Sequence, residues 1–252
     1  MKIVRFSAGG EAQYGVLEAG IVRAIRPPFE GIGYTGAQYP LETVSLLAPA
    51  VPEKILAVGL NYVSHAKEIG MELPKEPMFF LKPPSAILSP GGVVVRPRQS
   101  QRVDYEAELA VVVGREGKRI PEEQAAEYIL GYTCLNDVTA RDLQFQDSQW
   151  SRAKGFDTFC PLGPWIETDY DWHGKRITAR LNGEVKQDAT TDDFIHPVER
   201  LVAYLSTVMT LKPGDVIATG TSGGIGPMAA GDTIEIEIEG IGVLRNGIAD
   251  EL

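Results

Sequence analysis

The sequence has no uninterrupted apolar run of the roughly 18 residues that a membrane-spanning helix requires. Residues 1–6 alternate in polarity as a strand does, and they lack the apolar stretch of a secretory signal peptide. Cysteine is scarce, and Cys134 and Cys160 form neither a CxxC motif nor a disulfide framework. These absences argue against a membrane protein and a disulfide-rich secreted domain, so we expect a cytoplasmic globular protein.

Positive charge is also in short supply. Lys and Arg number 24 against 34 Asp and Glu, which gives a formal net charge of −10. Proteins bind nucleic acids and anionic membranes through concentrated positive charge, and the chain has no cluster of Lys and Arg. We therefore expect neither a nucleic acid nor a membrane as a partner.

Apolar residues, in contrast, make up 44% of the 252 residues, which is enough for a substantial core. Residues 1–50 contain short strand-like runs and a stretch rich in Pro, Gly and Tyr. Such a segment is too short to build a good core of its own. We expect it to form a small β-rich N-terminal domain that packs on a larger domain, residues 51–252.

The larger part combines many short strand patterns with few helix patterns. Residues 197–211 have apolar side chains at helical spacing, residues 121–130 begin with Pro and an acidic first turn, and residues 61–70 predict a short helix. Residues 232–239 alternate Ile with Glu, as a half-buried strand does. Because strands dominate and βαβ alternation is missing, we predict an α+β, β-rich fold with a large mixed or antiparallel sheet.

Two glutamates stand out in the strand-like segment 104–113. Alternate side chains of a strand share a face, so Glu106 and Glu108 point the same way, with Cβ atoms about 7 Å apart. No basic residue on that face of the strand would neutralise them. Asp137 follows another strand-like run and adds a third carboxylate. Three oxygen ligands without His or Cys suit Mg²⁺, Mn²⁺ or Ca²⁺.

The same spacing has a simpler interpretation, in which both glutamates lie on the solvated face of an exposed strand. Glu235 and Glu237 provide a comparison within the chain, because they have the same spacing and alternate with isoleucines. That alternation is typical of a strand whose glutamates face water. Spacing alone therefore leaves both interpretations open.

Three further residues could carry chemistry. On a helix His65 and Glu68 share a face and can form a hydrogen bond, which would orient the imidazole and raise its basicity. A surface pair without a catalytic role is the alternative. Lys154, which Ala153 and Gly155 flank, is either a solvated surface lysine or a partly buried cation directed at an anion.

Seven short blocks lie in order between about residue 52 and the C terminus, and their joint occurrence is more specific than any one of them. Together they resemble the fumarylacetoacetate hydrolase family. The blocks are 61–68 (NYVSHAKE), 80–83 (FLKP), 105–109 (YEAEL), 136–142 (NDVTARD), 154–159 (KGFDTF), 161–164 (PLGP) and 219–226 (TGTSGGIG).

The resemblance implies the family's fold, a mixed β-sandwich roll with short helices, in a chain that forms a homodimer. It also implies that a divalent ion, Mg²⁺ or alternatively Mn²⁺ or Ca²⁺, is held by three carboxylates: Glu106, Glu108 and Asp137. By the same resemblance, the catalytic residues are His65, Glu68 and Lys154, and the residues that contact substrate are Gln144 and Thr221. Arg141 could contact substrate or form a structural salt bridge.

The implied function is a metal-dependent enzyme that acts on a small dicarbonyl, or on a 2-oxo or 2-hydroxy-dienoic acid, through a metal-bound enolate. The candidate reactions are hydrolysis of an acylpyruvate such as fumarylpyruvate, isomerisation of 2-hydroxyhepta-2,4-diene-1,7-dioate, and decarboxylation of oxaloacetate. Segment 57–60 (AVGL) lacks the additional carboxylate ligand of fumarylacetoacetate hydrolases proper, which favours the smaller bacterial branch of hydrolases and isomerases. The alternative is a non-catalytic protein of the same fold that binds a metal or a ligand.

Overall fold

The computed structural model describes residues 1–68 and 70–252, and strands far outnumber helices in this part of the chain. The α-helices are short: α1 (Val63–Glu68), α2 (Arg141–Gln146), α3 (Ser151–Lys154) and α4 (Val198–Val208). Single 3-10 turns or helices occupy Leu41–Thr43, Pro84–Ala86, Glu122–Tyr128 and Thr191–Asp193. The α+β, β-rich class is confirmed.

The strands are numbered in chain order. The first ten are β1 (Lys2–Ala8), β2 (Glu11–Glu18), β3 (Ile21–Ile25), β4 (Tyr34–Pro40), β5 (Ser45–Leu47), β6 (Ile55–Val58), β7 (Phe79–Lys82), β8 (Ile87–Leu88), β9 (Val93–Arg96) and β10 (Val103–Tyr105). The second ten are β11 (Ala107–Val113), β12 (Ile129–Asn136), β13 (Thr139–Ala140), β14 (Cys160–Glu167), β15 (Arg176–Leu181), β16 (Glu184–Thr190), β17 (Val216–Ala218), β18 (Gly226–Pro227), β19 (Thr233–Ile238) and β20 (Gly242–Asp250).

A mixed sheet of twelve strands forms the main layer, in the order β4-β3-β2-β1-β14-β12-β11-β17-β6-β7, with β5 beside β1 and β8 beside β14. A second sheet of five strands has the order β16-β15-β19-β20-β9. In β19 the isoleucines are buried, and they share a core cluster with Leu109 and Val111 of β11. The five-stranded sheet therefore packs its apolar face on the large sheet, as in a sandwich.

Residues 1–50 contribute strands to the large sheet. Strand β1 pairs with β2 on one side and with β14 on the other, with Ile3 opposite Ile166. Ile3 and Val16 also belong to one core cluster with Ile55 and Leu162 of the remaining chain. The boundary near residue 50 remains a prediction, and the two sides of it share a sheet and a core.

The helix predictions differ in outcome. Helix α4 occupies most of segment 197–211, and it buries an apolar stripe that includes Leu201 and Leu205. Segment 121–130 contains a 3-10 helix instead of an α-helix, and only Ala125 of that helix is buried. Without an apolar face to pack, a regular α-helix has little to stabilise it. In the described residues, no helix is both long and apolar enough to cross a membrane.

Candidate active site

Three carboxylates meet where the chain passes from the three-stranded sheet β13-β10-β18 into the large sheet. Glu106 lies between β10 and β11, Glu108 lies in β11, and Asp137 follows β12, the antiparallel neighbour of β11. Asp137 N donates to Glu106 O at 2.9 Å, and Glu106 N donates to Asn136 Oδ1 at 2.9 Å. These bonds fix the two segments side by side.

The carboxylates are buried rather than solvated. Glu106 is 5% exposed, and Glu108 and Asp137 are each 1% exposed. One candidate ligand oxygen from each residue can be chosen so that the three lie within 4.8 Å of one another. Glu235 and Glu237, with the same spacing in β19, are only half-buried and pair with surface arginines. The solvated-face interpretation is therefore wrong for Glu106 and Glu108.

Cations reach this cluster from other elements. Lys154 of α3 is buried, and its Nζ donates to Glu106 Oε2 at 2.8 Å and to Asp137 Oδ2 at 2.5 Å. Arg141 Nη2 of α2 donates to the other oxygen of Glu106. Lys82 Nζ of β7 donates to Asp137 Oδ1 at 2.6 Å. Lys154 is thus buried and directed at anions, and the anions are the carboxylates of the cluster.

The neighbouring charges shift the pKa values of Glu106 and Glu108 in opposite directions. Burial would raise the pKa of Glu106, but the charges of Lys154 and Arg141 outweigh it and hold that pKa below its usual value. Burial raises the pKa of Glu108 well above its usual value, and the charges of Asp137 and Glu106 raise it further. Burial would lower the pKa of Lys154, yet the charges of Asp137 and Glu106 keep it raised. For Glu108, the charge of Lys154 and the hydrogen bond from Gly220 N offset these effects only in part.

The surroundings of Glu108 bear on whether the cluster fits a metal ion. Its Oε2 accepts a hydrogen bond from Gly220 N at 2.8 Å, and no Lys or Arg of segments 1–68 and 70–252 pairs with it. A buried carboxylate without a cation is costly, and a divalent ion would remove that cost. Oxygen donors alone suit a hard cation. Glu106, Glu108 and Asp137 could together hold a divalent metal.

The predicted His–Glu hydrogen bond is present in α1. His65 Nδ1 lies 3.1 Å from Glu68 Oε2, and the imidazole is mostly buried while the Glu68 carboxylate faces solvent. The start of α1 is held by Asn61, a buried residue whose side-chain amide binds the backbone of His196 and Thr219. An exposed carboxylate behind a mostly buried imidazole can orient the ring and balance a proton on it.

A cavity of about 630 Å³ adjoins the cluster. His65, Arg141 and Gln144 line it together with an apolar wall, and Arg141 Nη1 donates to Gln144 Oε1 at 2.5 Å. The structure thus brings the acid–base candidate and two of the substrate-binding candidates to one cavity. Thr221 does not lie on this wall; its hydroxyl donates to Ala107 O at 3.0 Å, between the two glutamates.

Two further residues of the site, Lys82 and Asp104, have no clear signal in the sequence. Lys82 lay inside the FLKP block, but a lysine after three apolar residues gives no sign of its partner. Asp104 is fully buried and accepts hydrogen bonds from Arg141 and Arg102. The signal that could have found it is its position two residues before Glu106, on the same face of an ideal strand.

Fold and site together define a β-rich protein with a buried acidic triad suited to a divalent metal. A family model described as "Fumarylacetoacetate (FAA) hydrolase C-terminal" matches residues 54–249, and one described as "Rv2993c-like, N-terminal" matches residues 1–49. The chain belongs to the fumarylacetoacetate hydrolase family. It is an enzyme of this family.

Three relatives show the range of the family. The structure of 5-carboxymethyl-2-hydroxymuconate delta-isomerase from Mycobacterium smegmatis is 44% identical, covers 100% of both chains and has a TM-score of 0.95. Human mitochondrial oxaloacetate tautomerase FAHD2A is 44% identical over 83% of this chain and 71% of its own length. Maleylpyruvate hydrolase from Sphingobium sp. SYK-6, in complex with manganese(II) and pyruvate, is 30% identical, covers 100% of both chains and has a TM-score of 0.83.

Proposed function

We propose that this enzyme uses a divalent metal to act on a small 2-oxo acid or dicarbonyl acid by forming its enol or enolate. One observation carries the proposal. The buried Lys154 ammonium contacts two of the three carboxylates of a candidate metal site, so its positive charge would stabilise an enolate oxygen of a substrate bound at that site. The cavity beside this cluster also presents His65 as an acid–base group.

Three relatives with different reactions support enol or enolate chemistry. An isomerase, a tautomerase and a hydrolase that was captured with manganese(II) and pyruvate are all similar to this chain. Moving a double bond, interconverting keto and enol forms, and releasing pyruvate from an acylpyruvate all pass through an enol or enolate. A site that stabilises this species therefore accounts for the range of reactions.

Each part of the site has a role in this proposal. Glu106, Glu108 and Asp137 would hold the metal, which would act as a Lewis acid toward the substrate oxygens. His65, oriented by Glu68, would move the proton at carbon in an isomerisation, or activate water in a hydrolysis. Lys154 would stabilise the developing oxyanion. The remaining N–H groups of Arg141 and the side chain of Gln144 would orient the substrate carboxylate.

The relatives also suggest an order among the candidate reactions. We propose isomerisation or tautomerisation first, because the isomerase and the tautomerase are each 44% identical and the hydrolase is 30% identical. Acylpyruvate hydrolysis is the second candidate, since His65 and Glu68 could activate water, and oxaloacetate decarboxylation is the third. Mg²⁺ as the ion, a cytoplasmic location, a role in aromatic catabolism and a homodimeric assembly remain predictions from the family resemblance.

Deuterium exchange tests enolisation without knowledge of the natural substrate. With Mg²⁺ or Mn²⁺, the protein should exchange the C3 protons of pyruvate or oxaloacetate in D₂O faster than solvent alone, as followed by proton NMR. Acylpyruvates, oxaloacetate and 2-hydroxyhepta-2,4-diene-1,7-dioate then distinguish the three reactions. Exchange no faster than in buffer, together with no turnover of any of these compounds, would reject the proposal.

Two variants test whether metal binding depends on the carboxylate cluster and not merely on a Glu-x-Glu spacing. Glu106→Ala should abolish metal binding in calorimetry and reduce exchange by at least about a hundredfold, because a charged ligand of the ion is lost. Glu235→Ala has the same ExE context but lies in β19, and it should change neither. Metal affinity retained by Glu106→Ala would disprove the assignment of this ligand.

A further inference from the structure

The cavity beside the carboxylate cluster has a strongly asymmetric lining. Its ionisable lining residues, among those that the structure describes, are His65, Arg102 and Arg141, and no Asp or Glu lies on the wall. Met71, Met78, Phe145, Trp150 and Ile225 supply an apolar surface. A lining of this kind suits a ligand with an apolar middle and an anionic group.

The two arginines are held together by one buried carboxylate. Asp104 is fully buried, and its Oδ2 accepts hydrogen bonds from Arg141 Nε at 2.9 Å and from Arg102 Nη2 at 3.1 Å. Its Oδ1 accepts a second bond from Arg102 Nε at 2.9 Å. Both guanidinium groups are therefore within one hydrogen-bond length of the same oxygen, and the orientation of Arg102 is fixed by a bidentate pair.

The arginines differ in the donors they have left. Each nitrogen of Arg141 already donates to a protein oxygen, in Asp104, Gln144 or Glu106. Arg102 uses Nε and Nη2 for Asp104, and its Nη1 has no hydrogen-bond partner in the part of the chain that the structure describes. Its side chain is also 51% exposed, so an anion that enters from solvent can reach it. Arg102 is thus the wall residue best able to accept a new carboxylate.

The position of Arg102 decides which carboxylate it would meet. Arg141 bridges the two ends of the arrangement, since its Nη2 contacts the candidate metal ligand Glu106 and its Nε contacts Asp104. Arg102 therefore contacts the cluster only through Asp104 and Arg141, and it makes no hydrogen bond of its own to Glu106, Glu108 or Asp137 in the described part of the chain. A substrate whose 2-oxo acid end lies at the cluster would reach Arg102 only with its far end.

We propose that Arg102 selects dicarboxylate substrates by binding the carboxylate farthest from the metal ligands, and that Asp104 is a positioning residue that orients it. This inference rests on the proposed function, because it takes the 2-oxo acid end of the substrate to lie at Glu106, Glu108 and Asp137. It adds the residue responsible for selectivity: Arg102 would favour 2-oxo or 2-hydroxy diacids with an apolar middle over monoacids of the same length.

A pair of ligands that differ only in the far carboxylate tests the proposal by binding alone. We would titrate the Mg²⁺-loaded protein with 2-oxoheptanedioate and with 2-oxoheptanoate in a calorimeter. The protein should bind the diacid about tenfold or more tightly, as expected for one charge-assisted bidentate contact. Equal affinity for both acids would overturn this inference and leave the proposed function standing, whereas binding of neither acid would overturn both.

Three variants test whether Arg102 is responsible for the preference for the diacid over the monoacid. Arg102→Gln should lose it by weakening diacid binding about tenfold, with the affinity for the monoacid unchanged, and Arg102→Lys, which keeps the charge, should retain at least a threefold preference. Arg176→Gln is the matched control, because Arg176 is 55% exposed and forms a bidentate pair with Asp188 away from the cavity. A diacid preference that survives in Arg102→Gln, disappears in Arg102→Lys or disappears in Arg176→Gln would contradict the role of Arg102.

Discussion

Lys82 shows how the fold places a charge in its interior. The ammonium group is fully buried, and each of its three N–H donors has an acceptor: Asp137 Oδ1 at 2.6 Å, Lys154 O at 2.6 Å and Val138 O at 3.4 Å. A buried charge is tolerated when it is paired and its hydrogen bonds are satisfied. Lys82 thereby joins β7 to a candidate metal ligand and to the backbone of Lys154.

We expect Lys82→Met to destabilise the protein by about 3–5 kcal/mol, because Asp137 would lose a buried cation and two backbone carbonyls would lose a donor. Urea unfolding of the two proteins measures this difference. Lys212→Met is the control, since Lys212 pairs with Glu53 at the surface, and it should leave the unfolding midpoint unchanged. Equal effects of the two substitutions would show that the buried network contributes nothing particular to stability.

At the scale of residues, the sequence predicted interactions between residues that are close in the chain, and it did not predict interactions between distant ones. Glu106 and Glu108 share a short segment, so their pairing was visible as a pattern. Lys82 and Asp137, in contrast, are 55 positions apart, and the partner of Lys82 is set by how β7 packs. The cations that balance Glu106 and Asp137 come from β7, α2 and α3, so the sequence of the strand that carries Glu106 could not show them.

Asn61 connects two elements of the candidate site. It lies between β6 and α1, and its Nδ2 donates to His196 O at 3.1 Å and to Thr219 O at 2.8 Å. Its Oδ1 accepts from His196 N at 2.8 Å. Thr219 precedes Gly220, whose N–H binds Glu108. The helix that carries His65 is thereby fixed relative to the carboxylate cluster by one buried amide.

Asn61→Ala should lower the free energy of unfolding by about 2–4 kcal/mol, since it leaves three buried backbone groups without a partner. It should also lower kcat, because α1 would lose its fixed distance from the metal ligands. Ser64→Ala is the control. Ser64 lies in α1, and the substitution removes only the exposed hydrogen bond from its hydroxyl to Asp193, so both quantities should change little. Urea unfolding and turnover of the same preparations give the two readings. A fully active Asn61→Ala protein would contradict the positioning of α1 by this residue.

Elements with an apolar period were predictable, and two elements that lack one were not. The alternation in β19 and the helical stripe of α4 are each produced by one buried face. Strand β4 (YTGAQYP) lies at the edge of the large sheet and is mostly exposed, so its sequence has no such alternation. Helix α2, only six residues long, is also too short for a periodic pattern to form.

At the scale of the whole molecule, the N-terminal segment is continuous with the rest of the sheet. Strand β1 covers the edge of β14, and Ile3, Val16 and Ile25 complete a core cluster that includes Leu162 and Ile166. The buried members of a second cluster, Val4, Phe6, Val22 and Ala24, lie within residues 1–50, and Trp165 of β14 packs against them. Two cores thus meet at β1, and the first of them depends on both parts of the chain.

We expect a protein that lacks residues 1–50 to aggregate or to unfold without a cooperative transition. Its β14 strand would expose hydrogen-bonding groups that β1 now covers, and an exposed apolar edge promotes pairing between molecules. Replacement of residues 34–40 by a short Gly-Ser linker is the control, because it removes only the exposed edge strand β4 and should leave a folded protein. Gel filtration and circular dichroism with urea distinguish the outcomes. A monodisperse, cooperatively unfolding 51–252 fragment would show instead that the larger part is an independent domain and that the shared core is dispensable for its folding.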